Sequence, residues 1–175
     1  QLASAITSYK RAIAINPHYA RAHYNLGGVF HELCEYDDAI KSYKRSLEID
    51  SDYAQGHNNL GNVFHDFGML SEAVNSFKKA LILNPKYVEA HYSLGVSLQE
   101  LGRFEDMLKH LEVAVKIQPD LAEAHNRIGV GLEELGQIDR AIESYQLAIE
   151  SNTDFSEAYN NLGNIFKQKG QFEDA

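Results

Sequence analysis

One pattern returns every 34 residues along this chain. Leu26-Gly27 recurs as Leu60-Gly61, Leu94-Gly95, Ile128-Gly129 and Leu162-Gly163, and Phe30 as Phe64, Leu98, Leu132 and Phe166. A second set follows in each period. Ala5, Ala39, Ala73, Met107, Ala141 and Ala175 share one slot, and Tyr9, Tyr43, Phe77, Leu111 and Tyr145 the next. Ala12, Ser46, Ala80, Ala114 and Ala148 share a third. Spacings of three and four place such residues on one side of a helix. Each period therefore reads as two helices, divided at Gly68, Gly102, Gly136 or Gly170. Pro17, Pro85 and Pro119 close the second helix, since proline lacks an amide hydrogen and clashes with the preceding turn. A helix pair this small cannot bury its own apolar side. It must lean on the next copy, which makes the core a strip rather than a ball.

Helix–turn–helix units of this period, with Leu-Gly, aromatic, alanine, aromatic, alanine and proline marks, resemble tetratricopeptide repeats. The resemblance covers the whole chain. It implies an all-α fold, a right-handed superhelical solenoid of antiparallel helix pairs. In this phase residues 1–19 are the second helix of a partial repeat. Complete repeats occupy 20–53, 54–87, 88–121 and 122–155. Residues 156–175 supply the first helix, the turn at Gly170 and the start of the second helix of another partial repeat.

Several slots carry packing expectations. A glycine at the turn accepts a left-handed backbone at a helix end, and Cys34 occupies that slot in the 20–53 repeat. It must adopt an unfavourable conformation or change the turn. Gly27, Gly61, Gly95, Gly129 and Gly163 lie inside helices, where glycine costs about 1 kcal/mol relative to alanine. Repeating that cost predicts close helix approach at each site. Tyr19, Tyr53, Tyr87, Leu121 and Phe155 are expected to plug the turns between repeats.

The formal charge of −9 argues against a nucleic-acid surface, which needs basic patches, and favours basic protein partners. The apolar runs fall far short of the roughly 20 residues needed to span a bilayer, so no membrane insertion is expected. Cys34 is the single cysteine, which excludes an internal disulfide and fits a reducing, intracellular and cytoplasmic setting. The chain begins at Gln1 in mid-repeat and reads as an excerpt.

Chemistry is sparse. His23, His57, His91 and His125 recur once per repeat, with Tyr159 in the fifth place. Equivalent residues in stacked helix pairs stand about 10 Å apart, too far to share one metal ion. The expectation is a packing ring. No paired-cysteine, phosphate-loop or nucleophile-elbow motif is present, so no catalytic residue, cofactor or metal is assigned.

The resemblance instead points to a groove. In such arrays the first helix of each repeat lines the concave side. The matching slots give Tyr24, Asn25, Asn58, Asn59, Asn62, Tyr92, Asn126, Arg127, Asn160, Asn161 and Asn164 as candidate peptide-binding residues. Carboxamides both donate and accept, so they can grip an extended backbone without choosing its sequence. Asn25, Asn59 and Asn161 are similar to the asparagine ladder of O-GlcNAc transferases, though Ser93 and Arg127 interrupt it. Glu32, Asp66, Glu100 and Glu134 form an acidic row on the same face. The carboxylate clamp of chaperone-binding members fits poorly. Asn62 and Arg127 match it, but Glu123 stands where a lysine is needed. The favoured function is a protein-interaction scaffold that holds a peptide or partner segment, biased toward basic sequences. Two alternatives stay open. The chain is the substrate-recognition arm of a larger O-GlcNAc-type glycosyltransferase, or it assembles head to tail as a homo-oligomer through its two open half-repeats.

Overall fold

The computed structural model of the chain describes residues 1–168 and residue 170. Ten α-helices and no strand are found among the described residues. The fold is an all-α repeat solenoid built from helix pairs, and it divides into two compact units, 1–90 and 91–175.

The first unit holds α1 (Leu2–Ile15), α2 (Ala20–Glu32), α3 (Tyr36–Ile49), α4 (Ala54–Asp66) and α5 (Leu70–Leu83). Each helix packs on the next, and α2 also touches α4. So first helices form one layer and second helices another. The apolar slots make this layer core. Leu60 and Phe64 of α4 are 6% exposed, and Ala73, Phe77 and Ala80 of α5 are fully buried. In α3, Ser46 replaces the small alanine. Its hydroxyl donates to the Ala20 carbonyl at 2.9 Å, which satisfies the one polar atom the substitution adds. The boundary between units falls within α6 (Val88–Glu100).

The second unit continues with α7 (Phe104–Ile117), α8 (Ala122–Glu134), α9 (Ile138–Ser151) and α10 (Ser156–Gln168). Here α8 packs on α7 and α9, and α10 on α9 and α8. Met107, Leu111, Ala114, Ala141, Tyr145 and Ala148 are fully buried, as their slots require. The start of a second helix expected after Gly170, with Ala175 in the alanine slot, lies outside the described residues.

The turn glycines take the expected conformation. Gly68, Gly102, Gly136 and Gly170 have φ between 69° and 80°. Cys34 adopts the same left-handed backbone at φ 57° instead of altering the turn. Its amide bonds to His31 O, and the Glu35 amide reaches back to Phe30 O, both at 2.9 Å. The 6→1 bond is the helix-ending pattern that needs a left-handed residue.

The helical glycines mark close approach. A methyl on Gly61 would lie 2.6 Å from the Phe77 ring, and one on Gly95 2.6 Å from Leu111. Gly129 stands likewise against Tyr145 at 2.6 Å, and Gly27 against Tyr43 at 3.0 Å. Among the described residues, nothing lies within 4 Å of a methyl placed on Gly163.

Candidate functional site

The first helices carry the candidate residues, and the structure sorts them into three kinds. Asn58 and Asn126 are buried, at 4% and 2% exposure. These two expected groove residues are corrected to interior positions. Tyr24, Asn25, Asn59, Asn62, Tyr92, Arg127 and Asn161 are half-buried, while Asn160 and Asn164 are exposed.

Some of these residues are joined by a bond that steps along the chain by 35 residues. Asn59 donates its side-chain amide to the Tyr24 hydroxyl at 2.7 Å. Arg127 Nε donates to the Tyr92 hydroxyl at 3.0 Å, with its guanidinium 5.7 Å from the ring centre. Asn161 donates to the Asn126 carbonyl oxygen at 3.1 Å. Each rung ties one first helix to the first helix of the preceding repeat. The step is 35 rather than 34 because the side chain that reaches back leaves from the adjacent slot. An asparagine, an arginine and another asparagine do the same work. What unites the slot is a donor long enough to cross, so Arg127 continues the ladder that its sequence seemed to break.

The rungs do not exhaust these groups. A carboxamide has two donor hydrogens and an oxygen with two lone pairs. In the second unit the rung belongs to a longer chain. Asn126 donates to Glu157 at 3.0 Å, Arg127 Nη1 to Gln99 at 2.9 Å, and the Tyr145 hydroxyl to Glu133 at 3.0 Å. Burial and the Glu133 carboxylate push the Tyr145 phenol well above its ordinary pKa, so it stays a donor. Beside it opens a cleft of about 430 Å³ lined by Glu133, Asn161, Asn164, Lys167 and Gln168. Every one of these five side chains can form a hydrogen bond, and the cleft offers both charges.

The first unit repeats the scheme with different chemistry. Burial pushes the Tyr24 phenol up first, with the nearby Tyr53 adding to it, and pushes Tyr43 up to about 12. The two rings meet edge to face with centres 5.5 Å apart, and Tyr53 closes on Tyr24 at 4.9 Å, plugging its turn as expected. Further along, His31 Nε2 lies 2.7 Å from Asp66 Oδ2 and His65 Nδ1 3.3 Å from Asp66 Oδ1. His31 and His65, one repeat apart in sequence, therefore both reach Asp66 of the acidic row.

Asn58 holds the one buried side-chain oxygen or nitrogen found without a hydrogen-bond partner among the described residues, its Oδ1. Asn126 occupies the same slot in the second unit and accepts a rung from Asn161.

The once-per-repeat histidines have a definite job. His23 and His57 each donate from Nε2 to the carbonyl six residues earlier, Pro17 O and Ser51 O, at 3.1 Å, and His125 to Pro119 O at 2.9 Å. The carbonyl partner fixes which ring nitrogen carries the proton. Burial pulls the His57 pKa below its ordinary value, against the opposing pull of that carbonyl bond. His91 departs from its equivalents by adding a contact to His110, Nδ1 to Nδ1 at 3.1 Å. No group of three histidine, cysteine or carboxylate side chains among the described residues converges as a metal site. No helix among them is long and apolar enough to cross a membrane.

Family and structural comparisons agree with this architecture. Models described as TPR repeat match residues 1–34, 35–68, 61–102 and 132–170, and one described as tetratricopeptide repeat matches 88–121. A comparison with curated protein sequences gave no match. Among solved structures, the chain is similar to YrrB, described as a TPR protein with an unusual peptide-binding site. The identity is 27%, the TM-score 0.82, and the match covers 95% of this chain and 86% of that one. It is similar in fold to MamA, at 24% identity and TM-score 0.82 over 87% of this chain and 89% of that one. MamA 41-end from Desulfovibrio magneticus RS-1 gives 21% identity and TM-score 0.83 over 88% and 87%. With repeat models covering most of its length, the chain belongs to the tetratricopeptide repeat family.

Proposed function

We propose that this chain is a protein-interaction scaffold that holds a peptide or partner segment against its first-helix faces, rather than an enzyme. The observation that carries the reading is the cleft beside α8 and α10. It is polar and open, and one of its groups, Asn161, is held by a rung to Asn126 on the neighbouring helix. Preorganised groups lose little freedom on binding, which is where much of the cost of recognition lies. The peptide-binding site named for YrrB supports the same class of partner.

In this reading Asn161, Asn164 and Gln168 grip backbone amides, and Glu133 with Lys167 selects flanking charge. Tyr24, Asn25, Asn59 and Asn62 present the corresponding surface in the first unit, with Tyr92, Arg127 and Asn160 in the second. Asn58 and Asn126 contribute from below by positioning their neighbours. Net acidity biases encounter toward basic segments.

The test uses a peptide selected against the 175-residue chain from a random library. Asn164→Ala with Lys167→Ala removes two exposed cleft groups without touching a rung. Binding measured by calorimetry should weaken about tenfold, the loss of two modest hydrogen bonds. Unchanged affinity rejects the cleft as the site.

A second reading concerns self-association. No residue of α1 is buried, although its slots match those buried in α3 and α5, and no described residue packs on Gly163. One copy's α10 could dock on another's α1, a head-to-tail contact that leads to rings or filaments. Sedimentation over a concentration series that shows a monomer throughout excludes it.

A further inference from the structure

The turn between α2 and α3 borders a hollow of about 300 Å³ lined by Cys34, Glu35, Tyr36, Asp37, Asp38 and Phe67. Two features of it are unusual for a solvent edge. The Tyr36 and Phe67 rings stand 5.5 Å apart, and Phe67 remains 44% exposed, an apolar ring face left to water. Around them are three carboxylates, of which Asp38 receives Lys41 at 3.2 Å.

The equivalent turn in the second unit shows what this arrangement accepts. Sixty-eight residues on, Arg103 stands in the Glu35 slot, Phe104 in that of Tyr36, Glu105 in that of Asp37 and Asp106 in that of Asp38. Lys109 matches Lys41 and donates to Asp106 at 2.9 Å. Arg103 adds a second bond, Nη2 to Asp106 Oδ2 at 2.6 Å. Together the lysine and the guanidinium hold the Asp106 carboxyl down at about 2. The first turn keeps the aspartate and the lysine but puts a glutamate where the guanidinium belongs. It thereby has room for a cation and a surplus of negative charge to attract one.

We propose that this hollow binds the guanidinium of an arginine side chain carried by a protein or peptide partner. The Tyr36 and Phe67 rings supply aromatic faces that attract a cation. Asp37, Asp38 and Glu35 supply acceptors for the planar fork of donors. A metal ion is the poorer occupant, since no cluster of three ligating groups converges among the described residues. The site lies at the hairpin tip, and it stands whether or not the first-helix faces bind peptide.

The experiment is an amide-shift titration of the isotope-labelled chain with acetyl-Gly-Arg-Gly-amide. The same tripeptide with citrulline, the neutral isostere of arginine, is the comparison. The arginine peptide should give saturable shifts at residues 34–38 and 67, and the citrulline peptide none. Phe67→Ala should weaken binding about fivefold by removing one aromatic face. Glu35→Arg recreates the sequence already tolerated at Arg103, so it should fold, pair with Asp38 and block the hollow. Equal shifts with citrulline, no saturable shift at this turn, or undiminished binding to the Glu35→Arg chain overturns the proposal.

Discussion

Cys34 sits in a conformation that a β-carbon resists, at φ 57° where every other described turn of its kind has glycine. The left-handed region costs an L-residue roughly 1–2 kcal/mol, and glycine returns part of that through its freer unfolded state. Cys34 is exposed, so its removal costs no buried surface. Cys34→Gly should therefore stabilise the chain by about 1 kcal/mol, read as a higher midpoint in chemical denaturation. A lower midpoint would mean that the thiol makes a contact worth more than the strain. The slot was legible from the 34-residue phase, which left open a strained residue or a changed turn, and the 6→1 bond that ends the helix explains why the backbone stays left-handed. The histidine bonds to the turn carbonyls were not legible. A residue type repeated in phase says that a position matters, but which ring nitrogen reaches which carbonyl depends on the turn's path. The exposed Phe67 beside Tyr36 escaped for a related reason, since it belongs to the next repeat and meets the hairpin tip only after stacking.

Helix pairs owe their spacing to the small residue in each first helix. Gly61 lets α4 settle on the Phe77 ring, and a methyl there would come within 2.6 Å of it. Gly61→Ala should thus destabilise by about 1–2 kcal/mol, overpacking exceeding the gain in helix propensity. Gly163 in α10 has the same sequence context and no described residue within 4 Å of an added methyl. Gly163→Ala should leave stability unchanged or raise it by up to about 1 kcal/mol, the propensity gain alone. Thermal melting of both variants checks the contrast, and an equal response from the two would refute close approach as the reason for the glycine. Here the repeated cost in the sequence was a sound guide, because nothing but packing explains glycine in mid-helix. The rungs were legible only in part. Phase correctly put Tyr24, Asn59 and Arg127 on the first helices. The groove slots implied by the family resemblance also took in Asn58 and Asn126, whereas both are buried. Periodicity gives the face of a helix, and the offset between helices decides which side chains on that face are covered.

Within each unit of the molecule helix packs on helix, so modest repeats build a surface on little core. The surface carries a net charge of −9 and concentrates its fixed donors and acceptors on the first helices. A different feature lies between α3, α4 and α5, a cleft of about 450 Å³ in the first unit lined in part by Leu47, Leu60 and Phe64, with Lys44 5.6 Å from the Phe64 ring. These two faces make opposite predictions for where a partner lies. Amide-shift mapping of the chain with a selected peptide bound discriminates them directly. The account predicts shifts along α2, α4, α8 and α10, strongest at Asn161, Asn164 and Lys167. Shifts confined to α3, α5, α7 and α9, or gathered around Lys44 and Phe64, would contradict it.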